Sequence, residues 1–413
     1  MNTEILFKRP HGRNKVIDGF RAIAILWVFF FHCWLFHANI FEFTDQSYAV
    51  FESKFFSWVP RGDLGVDLFF VISGFLIGSI LLSEYKKTQN IKFLKFYARR
   101  FFRLMPVYVI VMGMCIFFLD GLNFDKAYAN LLYINNYIRD SYMTWTWSLA
   151  MEEQFYFIAP LFIILIFPLF KSKRLIFLLL FFLPIFLTGF YFHKLEYNLP
   201  FNNRLFHGDW EDWFWDYYVL THLRFGSILT GFFAAYILVY KKEEALIFFQ
   251  KKKRTNTLTF ISLILIFLIG TTYTGHLVPI SESIFFKTSY TFNLIYESIH
   301  RDLFCILVAY LILASTCNAK GITERVSNFL SLNFWYPIAQ ISYSTYLFHI
   351  GFMMWVFPKL SSFFYGSISN SSIIFVNIFI TMVITFFVSS LLFLMVEVPC
   401  QKLGRNFINK KFD

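Results

Sequence analysis

Ten apolar segments recur along this chain of 413 residues, each near the length needed to cross a bilayer and separated from the next by short charged stretches. They fall at about 17–36, 64–82, 104–119, 147–168, 175–191, 222–240, 257–273, 301–316, 336–357 and 372–396. About twenty apolar residues in helical form span the ~30 Å hydrocarbon core, and the shorter segments imply tilt or local thinning. The chain is 57% hydrophobic and 15% charged, with 60 Phe, which excludes an ordinary soluble domain. The expected fold is all-α, a polytopic membrane protein with about ten transmembrane helices. No long polar stretch divides it, so residues 1–413 read as a single integral-membrane domain with a short tail from about 398. Basic residues precede the first apolar run and no small-residue cleavage site follows it, the pattern of a retained anchor.

The charges choose an orientation. The N-terminal stretch, the runs Lys86–Arg103, Lys171–Arg174 and Lys241–Arg254, the loop 317–335 and the tail together hold 26 of the 37 Lys and Arg. These alternate with stretches that are poor in basic residues, so the positive-inside rule puts both termini in the cytoplasm. The net charge of +11 follows this topology and is not arranged for nucleic acid. Cys33, Cys115, Cys305, Cys317 and Cys400 are scattered, with no C-x-x-C pair, and read as core residues rather than metal ligands. The largest outward loop, about 192–221, ends in His207-Gly-Asp-Trp-Glu-Asp-Trp-Phe-Trp-Asp-Tyr-Tyr218. Its aromatics and carboxylates suit stacking on sugar rings, or equally an interfacial aromatic belt.

Ionisable groups are costly in hydrocarbon and mark functional positions. Arg21 and His32 lie on one face of the first segment, about 16 Å apart along its axis. His32 is about 22 Å above the inner surface by helical rise. Alternating helix directions bring Asp67, Glu152, Arg224 and His349 to a similar outer depth. Such a layer is either a structural polar network or a site, and imidazole with carboxylate suits general acid–base chemistry near neutral pH. Asp18 precedes Arg21 by three residues and is expected to pair with it, leaving Glu152 or Asp67 to orient His32. On the inner side Arg100 and Arg103, at i,i+3, can converge on a phosphate or pyrophosphate, or serve only as positive-inside anchors.

These residues resemble, in order and over nearly the whole chain, the motifs of the acyltransferase-3 family of integral-membrane acyltransferases. Ile17-Asp-Gly-Phe-Arg21 with His32 is similar to that family's Arg-x10-His signature. Gly65-Val-Asp-Leu-Phe-Phe-Val-Ile-Ser-Gly-Phe-Leu-Ile77 resembles its second-helix motif, and Arg100-Phe-Phe-Arg103 its R-x-x-R element. Trp147-Ser-Leu-Ala-Met-Glu152-Glu-Gln-Phe-Tyr156, Ile341-Ser-Tyr-Ser-Thr-Tyr-Leu-Phe-His349 and Glu397-Val-Pro399 complete the set.

The resemblance implies transfer of an acyl group, usually acetyl, from cytoplasmic acetyl-CoA or another acyl-CoA to a hydroxyl of an extracytoplasmic glycan or glycolipid. Lipopolysaccharide O-antigen and peptidoglycan are typical acceptors, and the bacterial inner membrane is the expected location. It implies His32 as the catalytic histidine, Arg21 as its same-face partner, and Arg100 and Arg103 at the coenzyme A phosphates, with no metal. Asp67 and Glu152 join the expected catalytic set, with Asp18, Ser73, Arg224 and His349 as secondary candidates. Transfer is expected either directly, with His32 as base, or through an acyl-enzyme on His32, a Tyr or Ser73. Some relatives append an esterase-like domain. This chain ends about sixteen residues after the last segment and is expected to lack it. A transporter lined by the same charges is the alternative class, though no paired repeat is evident. A lipid-facing membrane-bound O-acyltransferase is the enzymatic runner-up.

Overall fold

The computed structural model describes residues 3–40, 56–119, 123–170, 214–271, 290–367 and 369–412. Among the described residues all regular structure is helical, and nine helices are long and apolar enough to cross a membrane. The chain is an all-α polytopic membrane protein. Its principal helices are α1 Lys15–Ile40, α2 Leu64–Thr88, α3 Phe93–Phe118, α4 Trp147–Leu165, α5 Thr221–Tyr240, α6 Lys252–Thr271, α7 Tyr290–Thr316, α8 Trp335–Phe364, α9 Asn370–Leu392 and α10 Val398–Phe412. Nine of the ten expected segments fall on α1 to α9. The segment 175–191 and most of the large outward loop lie outside the described residues.

The helices outrun the apolar segments at their polar ends. α3 begins at Phe93 rather than near 104, α7 at Tyr290 rather than near 301, and the tail is helical as α10. Hydropathy stops at the first charged residues, whereas the backbone hydrogen-bond ladder continues through them. A π-helical turn, Phe393–Glu397, joins α9 to α10.

The helices form two compact units. The first comprises residues 1–65, 92–122 and 329–413. α8 packs along both α1 and α9. Their shared apolar seam is built on Phe29, Cys33, Met353 and Phe357, with Ile378 and Met382 of α9 against it. α1 starts where the Asn14 side chain accepts the backbone N–H groups of Val16 and Ile17. α10 returns onto α3, with the Phe407 ring 5.8 Å from Phe102.

The second unit comprises residues 66–91 and 123–328. Within it α2 and α5 approach at backbone distance because small residues face each other. A Cβ on Gly74 would strike the Ile228 carbonyl oxygen, and one on Gly231 the Val71 carbonyl oxygen. With Gly78 a turn further, α2 carries a G-x-x-x-G face of the kind that lets membrane helices touch through van der Waals contact. α7 packs on both α5 and α6.

Candidate functional site

In the first unit, the seam between α1 and α8 brings two imidazoles together. His349 Nε2 lies 3.2 Å from His32 Nδ1, and the ring centroids are 5.0 Å apart. His32 Nδ1 also faces the Val28 carbonyl oxygen at 2.9 Å. His349 Nδ1 faces the Thr345 and Tyr346 carbonyl oxygens at 3.0 and 2.8 Å. His349 is 0% exposed, while His32 keeps partial access. Both helices were expected to run outward, and rise alone put these two residues at a similar depth. The polar partners given to His32 are therefore a backbone carbonyl and a second imidazole, where a carboxylate was expected.

About three turns toward the N-terminus of α1, Arg21 Nη2 donates to Ser342 Oγ of α8 at 3.0 Å. Ser342 in turn donates to the Ala339 carbonyl oxygen. Arg103 of α3 and Glu397 of the π turn lie within electrostatic reach of Arg21, and Ser344 donates to Glu397. A carboxylate beside two guanidinium groups offsets their repulsion and leaves a net positive site that favours an anion.

The expected Asp18–Arg21 pair does not form as a contact. Arg13 Nε donates to both Asp18 oxygens, at 2.8 and 3.0 Å, and Arg9 Nε stands 3.2 Å from Oδ2. In the first turn a side chain leans toward the helix N-terminus, so Asp18 meets the arginines that precede the helix and acts on Arg21 only through space. Arg100 is partly exposed, its guanidinium 5.9 Å from the Phe96 ring, while Arg103 faces the Arg21 group.

In the second unit Asp67, 0% exposed, is enclosed by donors. Ser227 donates to Oδ1 at 2.8 Å, Arg301 Nη1 to Oδ2 at 2.8 Å, and Arg224 Nη2 lies 3.1 Å from Oδ1. The Tyr218 ring sits under both cations, 4.6 Å from the Arg224 and 5.0 Å from the Arg301 guanidinium carbon. One carboxylate thus joins α2, α5 and α7. A separate group in the same unit joins Glu152 to Ser73 Oγ at 3.0 Å and Tyr156 OH at 2.8 Å. Ser73, considered as a nucleophile, donates its proton to a carboxylate there.

The residues expected in one layer fall into groups described each within its own unit, a histidine pair in the first and two carboxylate clusters in the second. Sequence reasoning missed Arg301, Ser342, Ser344 and Glu397 as members of these groups. Arg301 stands eleven residues into α7, at the point where the expected apolar segment began, and a basic residue there was the available clue. Glu397 lies one residue past the last apolar segment, on a π turn that no local pattern announces.

A family model described as an acyltransferase domain, that of the acyltransferase-3 family, matches residues 14–394. The chain is 34% identical over 181 residues to peptidoglycan O-acetyltransferase OatA of Listeria monocytogenes, covering 39% of this chain and 26% of that protein. It is 34% identical over 179 residues to O-acetyltransferase OatA of Staphylococcus aureus, with the same 39% and 26% coverage. The match thus spans about a quarter of the length of these curated relatives. No solved structure matches the chain. A match that takes in the Arg21–His32 helix, the R-x-x-R element and the histidine of α8 spans most of the chain, and the protein belongs to the acyltransferase-3 family.

Proposed function

We propose that this chain is a membrane O-acetyltransferase that moves an acetyl group from acetyl-CoA, taken up at the cytoplasmic face, to a hydroxyl of an extracytoplasmic glycan or glycolipid. The location is the bacterial inner membrane, with both termini cytoplasmic, as the basic inner loops support. The reading is carried by the His32–His349 contact, which leaves one partly accessible imidazole in an otherwise apolar seam. Arg21, on the helix that bears it, and Arg103 of α3 supply cations for the coenzyme A phosphates, with Arg100 one turn earlier on α3. His32, as neutral base, takes the acceptor hydroxyl proton, the oxygen attacks the thioester carbonyl, and the thiol leaves with that proton.

Asp67 fits this reading as a structural pin, since hydrogen bonds and ion pairs already engage both of its oxygens. Glu152, with Ser73 and Tyr156, holds α2 to α4. The test compares cells with and without the gene, measuring acetate released by mild base from peptidoglycan and from lipopolysaccharide O-antigen. Ester-linked acetate should fall in one polymer, the one that serves as acceptor, and return with the wild-type gene but not with His32→Gln. The names of the relatives favour peptidoglycan as that polymer. Unchanged acetate in both, accompanied by altered solute export, would overturn the transferase reading in favour of a transporter.

A further inference from the structure

Two backbone carbonyls fix the proton of His349, and His349 in turn helps fix that of His32. Both neighbours of His349 Nδ1 are backbone carbonyl oxygens, at 3.0 and 2.8 Å, and a carbonyl oxygen only accepts. That nitrogen therefore carries the hydrogen. In a neutral imidazole the other nitrogen is then a bare lone pair, and His349 Nε2 aims it at His32 Nδ1 across 3.2 Å. His32 Nδ1 is thus flanked by two acceptors, this lone pair and the Val28 carbonyl oxygen at 2.9 Å. It too must carry its hydrogen. The free lone pair of His32 falls on Nε2, the nitrogen not engaged by either neighbour.

Burial separates the two roles. His349 is 0% exposed and meets no substrate, whereas His32 retains access. We infer that His349 is a positioning residue, which holds His32 in the Nδ1–H tautomer with Nε2 as the base and accepts the Nδ1–H bond when the ring becomes cationic. This rests on the reading of His32 as the base.

The transfer then balances. The acceptor hydroxyl gives its proton to His32 Nε2 as its oxygen bonds to the thioester carbonyl carbon. Collapse of the tetrahedral intermediate breaks the carbon–sulfur bond, and the same proton passes from Nε2 to the departing sulfur. His32 finishes neutral, and Nδ1–H never leaves it. Two carbonyl dipoles polarise His349 from behind, so its Nε2 presents more negative charge to the imidazolium than an isolated imidazole would. The arrangement does with a neutral ring what a buried carboxylate does behind the histidine of a Ser-His-Asp triad.

The test uses the full-length protein in lipid nanodiscs, with acetyl-CoA and glycan acceptor. His349→Gln places an amide oxygen where Nε2 was and should keep kcat within about tenfold, whereas His349→Leu, which offers no acceptor, should lose about 100- to 1,000-fold in kcat. KM for acetyl-CoA should stay near wild type in both, a split that general unfolding would not give. Nitrogen-15 NMR of histidine-labelled protein, with the His32 signals assigned by their loss in His32→Gln, should show Nδ1 protonated and Nε2 bare. In His349→Leu the Val28 carbonyl oxygen is the acceptor that remains, and the Nε2–H tautomer should rise to a detectable fraction. A wild-type His32 with its proton on Nε2, or a His349→Leu enzyme with wild-type kcat, overturns the inference. A fully active His32→Gln overturns instead the underlying reading that His32 is the base.

Discussion

Asp67 and His32 are both ionisable side chains set in apolar helices, and they are held in opposite ways. Asp67 is sealed, with one hydroxyl and two guanidinium groups around its oxygens and an aromatic ring beneath both cations. His32 has an imidazole and a carbonyl at Nδ1 and is only partly buried. A group whose hydrogen-bonding capacity is spent holds helices together. A group with one lone pair left over is the one to which the proposed reading gives the chemistry. Composition and depth rate the two alike, and only the inventory of partners separates them.

The most forceful way to break this contrast is to remove the pin. Asp67→Ala leaves the buried Arg224 and the partly exposed Arg301 without this anion and should cost about 3–5 kcal/mol, read as a much lower thermal midpoint and poor membrane yield. Asp67→Asn keeps the shape, and molecules that fold should turn over within about tenfold of wild type. A well-folded Asp67→Asn that is as inactive as His32→Gln would erase the distinction.

Next in size is the backbone contact beside that pin. Gly231→Leu drives a side chain into the Val71 carbonyl and should destabilise by roughly 1–3 kcal/mol, without changing the tautomer of His32.

On the histidine-bearing unit, Arg103→Ala should raise the KM for acetyl-CoA about tenfold, about 1.4 kcal/mol, with kcat little changed. Arg100→Ala should do so by only about two- to threefold, because it is Arg103 whose charge acts on Arg21. Equal effects would restore the symmetric pair expected from the i,i+3 spacing. The smallest effect belongs to Arg13→Ala. Asp18 keeps Arg9, so the loss in thermal stability should stay below about 1 kcal/mol.

The architecture was legible because each property it needs is local. Apolar length gives α1 to α9, and rise per residue with alternating direction puts His32 and His349 at one level. What rise cannot give is azimuth, the direction a side chain takes around its helix. Asp67 shares an expected depth with His32, yet its partners come from α5 and α7. The same limit applies to Asp18, where a favourable i,i+3 neighbour lost to two arginines upstream of the helix. Arg301 and Glu397 were hidden for another reason. Both sit where a helix continues past its expected apolar run, so hydropathy placed them at or beyond the ends of segments.

The most direct measurement is single-turnover transfer from radiolabelled acetyl-CoA to glycan acceptor by the protein in nanodiscs, comparing wild type with His32→Gln at matched acetyl-CoA binding. Alkali-labile label should appear in the glycan with wild type and fall by at least about 100-fold with His32→Gln, while bound acetyl-CoA stays the same. Equal transfer by a properly folded His32→Gln protein would contradict the assignment of the reaction to this imidazole.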